Sequence, residues 1–530
     1  MSVAPLEPVA ETFLRVSSRL AAKPAVVRGG RAARFGDIAE AAQRFSEGIR
    51  AAGLQPGERV ALLVPPSEDL YALTFGLYLA GLVPVFIDPG IGFLNMGRCL
   101  CETEPAAFVG SPKAHLARLW GRWAPTARLF LSADGKFPGA PHWRSLRGKV
   151  RIEPVDCESS AAVLFTSGST GAPKGAVYTH AMFASQLESL RGLFDIQEGE
   201  VSVPTFPLFG LFDAALGQTC IIPEMDFTRP GSADPARLVA LLQGRGAHQL
   251  FGSPALLDGL GRFGRRHGIA LPGLRRVLSA GAPVSAKILE SVQAMLSPGV
   301  QVHTPYGATE ALPAAVMGSL EILAETAGLS AQGRGVCVGR PVDGTEVALI
   351  AITDGPVASW NESLKVRGGE VGEIAVKGPM VSREYFHRPQ ETALAKIPDG
   401  TGFWHRMGDL GRIDEKGRLW FLGRKSHRVR TKDGELYTTQ VEGVFNAHPD
   451  IKRTALVSVG RRAVLCVEKE RSCGKTDEDL TRELLGLGEK YPHTRPIATI
   501  LFHPNFPVDI RHNAKIFREK LSVWAAGRLK

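Results

Sequence analysis

The segment Thr166-Ser-Gly-Ser-Thr-Gly-Ala-Pro-Lys-Gly175 gathers three glycines, four hydroxyls and one lysine within ten residues. Glycine lets a ligand approach the backbone closely, hydroxyls and backbone N–H groups donate to anionic oxygens, and Lys174 adds positive charge. A loop of this make-up can wrap the oxygens of a polyphosphate. It is not the Walker loop, in which Gly-Lys is followed directly by Ser or Thr, so an ordinary kinase or GTPase is not implied. The bland alternative is a Ser/Gly turn with no ligand, and the apolar run AAVLF in front of the loop and the lysine inside it argue against that. Other residues able to do chemistry are single: Glu310 in YGATE, Asp409 in MGDLG and Lys515 in DIRHNAKIFREKL. Alone, each reads as a surface charge or a helix cap.

The elements around these residues have a parallel α/β character. From Arg59 to Pro89 the chain runs from an apolar strand (RVALLV) through a Pro-Pro-Ser turn, an apolar helix and Gly81 to a second strand (VPVFIDP), a βαβ unit. Short apolar runs also precede turn signals at Ala161 to Thr166, Arg275 to Ser279 and Gln301 to Thr304. Loops at the ends of such strands are where parallel sheets bind ligands. After about residue 340 the texture becomes β-rich, with GEIAVKG at 372–378 and a hairpin expected around Glu415, Lys416 and Gly417. Beyond Gly423 a basic connector leads to mixed helical and strand patterns and an amphipathic helix expected from about Lys515. The expected fold is α/β: a large N-terminal domain (1–423) of parallel sheets and helices with a β-barrel-like lobe, and a small, mobile α+β C-terminal domain (424–530).

At 530 residues, 44% hydrophobic and 22% charged, the composition is that of a soluble globular protein of more than one domain. Seven cysteines occur without C-x-x-C spacing, which fits a reduced, cytoplasmic protein. The opening MSVAPLEPVAETFLRVSSRLAAK reads as an amphipathic helix, not a secretory signal. Leu70 to Ile87 is uncharged and approaches the length of a membrane span, but Gly81 and Pro84 interrupt it, so a buried helix followed by a buried strand is expected, and no transmembrane segment. The net charge of +10 is scattered, and its densest cluster, RKSHRVRTK at 424–432, has no aromatic residue to stack on bases, so nucleic acid is not an expected partner.

In order along nearly the whole chain, the phosphate loop, Ala280-Gly-Ala-Pro283, Tyr306-Gly-Ala-Thr-Glu310, Gly408-Asp409, Gly423-Arg424 and Lys515 resemble the signatures of the adenylate-forming superfamily of acyl-CoA synthetases, luciferases and peptide-synthetase adenylation domains. That resemblance implies activation of a carboxylic acid as its acyl-adenylate, with ATP and Mg2+. It assigns Thr166, Ser167, Gly168, Ser169, Thr170, Gly171 and Lys174 to the β- and γ-phosphates. Gly281, Ala282, Pro283, Tyr306 and Gly307 fall in the nucleotide site, where small residues admit a flat base and a tyrosine ring can stack on it. Glu310 matches the magnesium carboxylate, Thr309 a contact to the α-phosphate, and Asp409 and Arg424 the ribose-binding pair. Lys515 matches the catalytic lysine, whose cation offsets negative charge in the transition state, although Ala514 stands where the family has glycine.

The acceptor of the acyl group is written less plainly. The family's hinge position, often Asp or Lys, holds Ser426 here, Gly434 falls one place late, and Pro207-Leu-Phe-Gly210 lacks the histidine of many CoA ligases. The strings TPYGATEALP (304–313), MGDLGRIDEKGRLWFLGRKSHRV (407–429) and FPVDIRHNAKIFREKL (506–521) look most like the β-lactone synthetases of bacterial long-chain olefin biosynthesis. This branch adenylates a 2-alkyl-3-hydroxyalkanoic acid and lets its own hydroxyl displace AMP, an intramolecular attack. It works beside thiolase-like, reductase and decarboxylase enzymes, which are the partners the resemblance implies. His427 and His512 are candidates for a general base, and Phe206 to Ala215 either lines an acyl tunnel or is ordinary core. The rival readings are a long-chain fatty acyl-CoA ligase and, from another class, a catalytically inactive nucleotide- or acyl-binding scaffold, against which Lys174, Glu310, Asp409 and Lys515 all speak.

Overall fold

The computed structural model of the chain describes residues 6–166, 172–432, 434–509 and 516–529, without the side chains of Pro89 and Thr166. The expected βαβ unit is present as strand Arg59–Leu63, helix Glu68–Leu79 and strand Val83–Ile87. The two strands pair in parallel. The helix has buried residues all round because none of its positions after Asp69 is charged. Gly81 ends it with φ of 66°, a conformation that costs glycine nothing. No helix among the described residues is long and apolar enough to cross a membrane.

These strands belong to a sheet of six, ordered Leu129–Ser132, Ala107–Gly110, Arg59–Leu63, Val83–Ile87, Ser160–Thr166 and Lys174–Thr179. All its pairs are parallel except the last, where Ser160–Thr166 runs antiparallel to Lys174–Thr179. A second, fourteen-stranded sheet has a parallel half, which includes Val302–Ala308, Arg276–Leu278, Gln249–Phe251 and Val201–Pro204. Helices fill the space between the sheets. One core cluster contains Val60 and Ala161 from the first sheet and Val26 and Cys220 from the second, with Phe13 of the amphipathic helix Val9–Arg19 stacked 4.0 Å from Phe75.

The β-rich lobe is the antiparallel end of the second sheet. Strands Glu346–Ile350, Gly372–Lys377, Gly402–Ile413, Leu419–Arg424 and Val336–Pro341 follow one another there and join the parallel half through Ala311–Gly318. The hairpin expected near Gly417 joins Gly402–Ile413 to Leu419–Arg424. Its turn is tied by Asp414, whose carboxylate accepts from Lys416 N and Arg418 N at 3.0 and 2.9 Å. Past the connector, strands Ile451–Val459, Arg462–Lys469 and Thr499–Phe502 form a small sheet. Helices Thr438–Asn446, Asp477–Gly488 and Arg518–Arg528 cover it, with two apolar clusters beneath them. The last helix begins at Arg518, three residues after Lys515.

Candidate active site

A cavity of about 2390 Å³ opens where the ends of both sheets meet the C-terminal elements. Its wall includes Lys174, Gly281, Glu310, Gly408, Arg424 and His427, from stretches far apart in sequence. Lys174 starts the strand paired back onto Thr166, so the loop between them joins two antiparallel strands and not a strand to a helix. Ser167, Gly168, Ser169, Thr170 and Gly171 lie outside the described residues. Lys174 Nζ sits 5.1 Å from the centroid of the Tyr385 ring.

Strand Arg276–Leu278 delivers Ala280, Gly281, Ala282 and Pro283 to the cavity wall, with Gly281 at φ of 94°. The neighbouring strand Val302–Ala308 carries Tyr306 and leads into Thr309 and Glu310. Gly307, Thr309 and Glu310 line the cavity. Tyr306 does not. Its hydroxyl donates instead to Asp409 Oδ2 at 2.7 Å, and burial holds its proton far above the ordinary phenol range. Thr309 is fixed through its carbonyl, which accepts from the Tyr178 hydroxyl.

Asp409 and Arg424 are fifteen positions apart, and the hairpin explains the spacing by placing them directly opposite each other. Arg424 Nη1 lies 3.0 Å from Asp409 Oδ1. Burial raises the Asp409 carboxyl above its usual range, with Arg424 and the Tyr306 hydroxyl opposing, while Asp409 holds the Arg424 guanidinium up. Glu310 is 9% exposed, and its Oε1 accepts from the Tyr385 hydroxyl at 2.6 Å. A buried carboxylate on the cavity wall is the kind of hard oxygen donor that Mg2+ takes.

Three residues near this site, Tyr385 and Lys396 beside Glu310 and His405 beside Lys396, carry no signal in the sequence. Tyr385 buttresses Glu310, Lys396 is buried with Nζ donating to Ser382 O, and His405 is buried on the cavity wall. Burial lowers Lys396 to about 7, and burial with Lys396 nearby keeps the His405 ring neutral. In the sequence they are an isolated tyrosine, lysine and histidine; only the fold brings them together.

His427 lines the cavity in the short turn Lys425–His427, with Nε2 3.3 Å from Glu519 Oε1. Burial, with Arg518 adding to it, pushes the ring down to about 4, so at neutral pH it is uncharged and holds an added proton weakly. That is a poor general base for a hydroxyl. His512 and Lys515 lie outside the described residues, but Ile516, which follows Lys515, lines the cavity, and so does Arg518. Arg518 is anchored on Glu442, with Nη2 to Oε2 at 2.9 Å.

One stretch of the cavity wall is apolar. Phe206, Leu208, Phe209, Leu211 and Phe212 form it, while Asp213, Ala214 and Ala215 are buried. Phe206 to Ala215 therefore lines the cavity on one face and is core on the other. Phe209 is braced by Phe206 and Phe251 at ring distances of 5.0 and 4.5 Å. The cavity wall thus combines an apolar stretch with charged and polar groups.

Comparison with known proteins places the chain among relatives. The chain is 46% identical over 503 residues, 92% of its length and 90% of the relative's, to an olefin beta-lactone synthetase of Stenotrophomonas maltophilia. It is 44% identical to an olefin beta-lactone synthetase of Xanthomonas campestris pv. campestris, over 93% of this chain and 90% of that one. Among solved structures, the amide bond synthetase McbA of Marinactinospora thermotolerans shares the fold, with a TM-score of 0.82 and 22% identity over 98% of this chain and 100% of that one. The family described as AMP-binding enzyme matches residues 13–386, and the chain belongs to it.

Proposed function

We propose that the protein uses ATP to convert a long-chain 2-alkyl-3-hydroxyalkanoic acid into the corresponding β-lactone, releasing AMP and pyrophosphate. The observation that carries the reading is the 46% identity, along 92% of the chain, to a relative that bears the name olefin beta-lactone synthetase. In the first step a carboxylate oxygen of the acid bonds to the α-phosphorus of ATP and the bond to pyrophosphate breaks. In the second, the 3-hydroxyl oxygen of the same molecule bonds to the acyl carbon, the bond to AMP breaks, and the hydroxyl proton leaves. Holding the hydroxyl against the activated carbonyl makes the closure intramolecular, and the wall formed by Phe206, Phe209 and Phe212 keeps water from hydrolysing the adenylate.

In this scheme the loop from Thr166 to Lys174 grips the β- and γ-phosphates, and Gly281, Ala282 and Pro283 border the base. Asp409 and Arg424 take the ribose hydroxyls, with Tyr306 orienting Asp409. Glu310, oriented by Tyr385, would hold Mg2+, which when bound neutralises phosphate charge. Lys515 bridges the attacking carboxylate and the α-phosphate. Enzymes able to make the hydroxy acid by condensation and reduction, and to decarboxylate the lactone, are its chemical neighbours.

Purified protein given ATP, Mg2+ and such an acid, with and without CoA, tests the reading by mass spectrometry. A product lighter than the acid by one water and independent of CoA is expected. A thioester formed only with CoA would replace the reading with a fatty acyl-CoA ligase.

A further inference from the structure

Helix Pro112–Gly121 packs Ala114 and Ala117 inward and turns its largest apolar side chains outward. Leu116, Leu119 and Trp120, at the i, i+3 and i+4 positions of one face, are 61%, 56% and 81% exposed. The inward face carries His115, fully buried, and Arg118, whose guanidinium lies 4.1 Å from the Phe130 ring centroid. Helix Phe93–Glu102 extends the apolar face with Leu94, 75% exposed, and with Phe93, whose ring lies 4.8 Å from that of Trp120. An amphipathic helix that turns its leucines and tryptophan to water gains nothing from doing so in the isolated fold.

Three exposed cations, Arg98, Lys113 and Arg122, belong to the same two helices or their ends, and none of them has an ion pair among the described residues. From Phe93 to Ala133 the sequence has two carboxylates, Glu102 and Glu104. Glu102 is held by Arg388 at 2.7 Å. The face is therefore apolar with a cationic rim. A second copy docked symmetrically would set these cations against themselves. An anionic lipid surface complements both features, since leucine and tryptophan enter the interfacial layer while Arg and Lys meet the headgroups.

The same helices border the cavity: Met96, Ser111 and Lys113 line it, and Lys113 is one helical turn from Leu116. We propose that the face built by helices Phe93–Glu102 and Pro112–Gly121 seats the protein on an anionic bilayer, beside the mouth of its own cavity. An acid with two long alkyl chains resides in such a bilayer and would reach the cavity without crossing water.

Flotation of the full-length protein with lipid vesicles tests this without reference to its reaction. Wild-type protein is expected to float with phosphatidylcholine vesicles that contain phosphatidylglycerol, to be released by high salt, and to stay behind with phosphatidylcholine alone. The double variants Leu116→Ser/Trp120→Ser and Arg98→Glu/Arg122→Glu should each weaken partitioning by about tenfold or more. Both should keep the wild-type thermal midpoint, because the replaced side chains are exposed. Equal flotation with neutral vesicles, failure of the wild type to float, or variants that float as it does would overturn the proposal. So would light scattering that shows a wild-type dimer dissociating in the variants while no vesicle is bound, since the face would then belong to a second copy.

Discussion

Lys396 puts an ionisable amine in a place where its charge is costly. It is buried, its Nζ donates to the Ser382 carbonyl, and burial lowers it to about 7 against an ordinary 10.5, with nearby Glu310 pulling the other way. Between those two values the unfolded chain binds a proton that the folded chain does not, so stability contributed by this site rises with pH from about 7 to about 10.5, at no more than about 1.4 kcal/mol per pH unit. Below pH 7 both states are protonated and the slope vanishes. Replacing Lys396 with Met removes the titration. The urea midpoint of Lys396→Met, measured relative to wild type, should therefore be most favourable near pH 7 and lose that advantage toward pH 10; a difference that is flat with pH would remove Lys396 as the titrating group. Nothing in ALAKIPD announces such a residue, because its environment comes from Ser382 and Glu310, fourteen and eighty-six positions away. The run from Thr166 to Gly175, by contrast, stands out by its own composition, although Ser167 to Gly171 lie outside the described residues. Asp409 and Arg424 fall between these cases: the residues stood out only as part of an ordered set, and the hairpin that pairs them was visible as a turn signal at Glu415 to Gly417.

Among the elements, the antiparallel lobe stiffens the base of the connector. Glu373, 1% exposed on strand Gly372–Lys377, pairs with Arg406 of strand Gly402–Ile413 at 2.7 Å and with Lys425 of the connector at 2.9 Å. Arg406 is tied in addition to the carbonyls of Gly355 and Leu394, and Lys425 to that of Thr353. One buried carboxylate thus serves two cations, which makes the two ends of the network unequal. Removing Glu373 leaves a buried guanidinium without its counter-charge, a loss of about 3–5 kcal/mol, whereas Lys425→Met leaves the Glu373 to Arg406 pair standing. Glu373→Ala should accordingly lower the thermal midpoint far more than Lys425→Met does, and equal losses would show that Lys425, not Arg406, is the partner that matters. Periodicity revealed the strands that carry this network, down to GEIAVKG, but not its pairing. Glu373, Arg406 and Lys425 occur in stretches that look unrelated until the sheet registers them.

At the scale of the whole molecule, the last elements of the chain complete a cavity begun by the first. Met96 and Lys174 face the same space as Arg518 and Ile516, from ends of the chain more than three hundred residues apart. The α/β class and the β-rich stretch after residue 340 could be read locally from strand and turn patterns, but this closure could not, because nothing near DIRHNAKIFREKL says what it packs against. The anchoring of Arg518 on Glu442 and on the carbonyl of Leu456 at 3.1 Å fixes the segment that follows Lys515 against the cavity wall. If Lys515 offsets charge that develops only as the carboxylate meets the α-phosphorus, its removal should spare the ground state and damage the transition state. Lys515→Ala is therefore expected to bind ATP within about twofold of wild type by calorimetry and to lose pyrophosphate exchange by about a hundredfold or more. Equal losses of binding and exchange would make the lysine a nucleotide anchor, and unchanged exchange would take it out of the reaction.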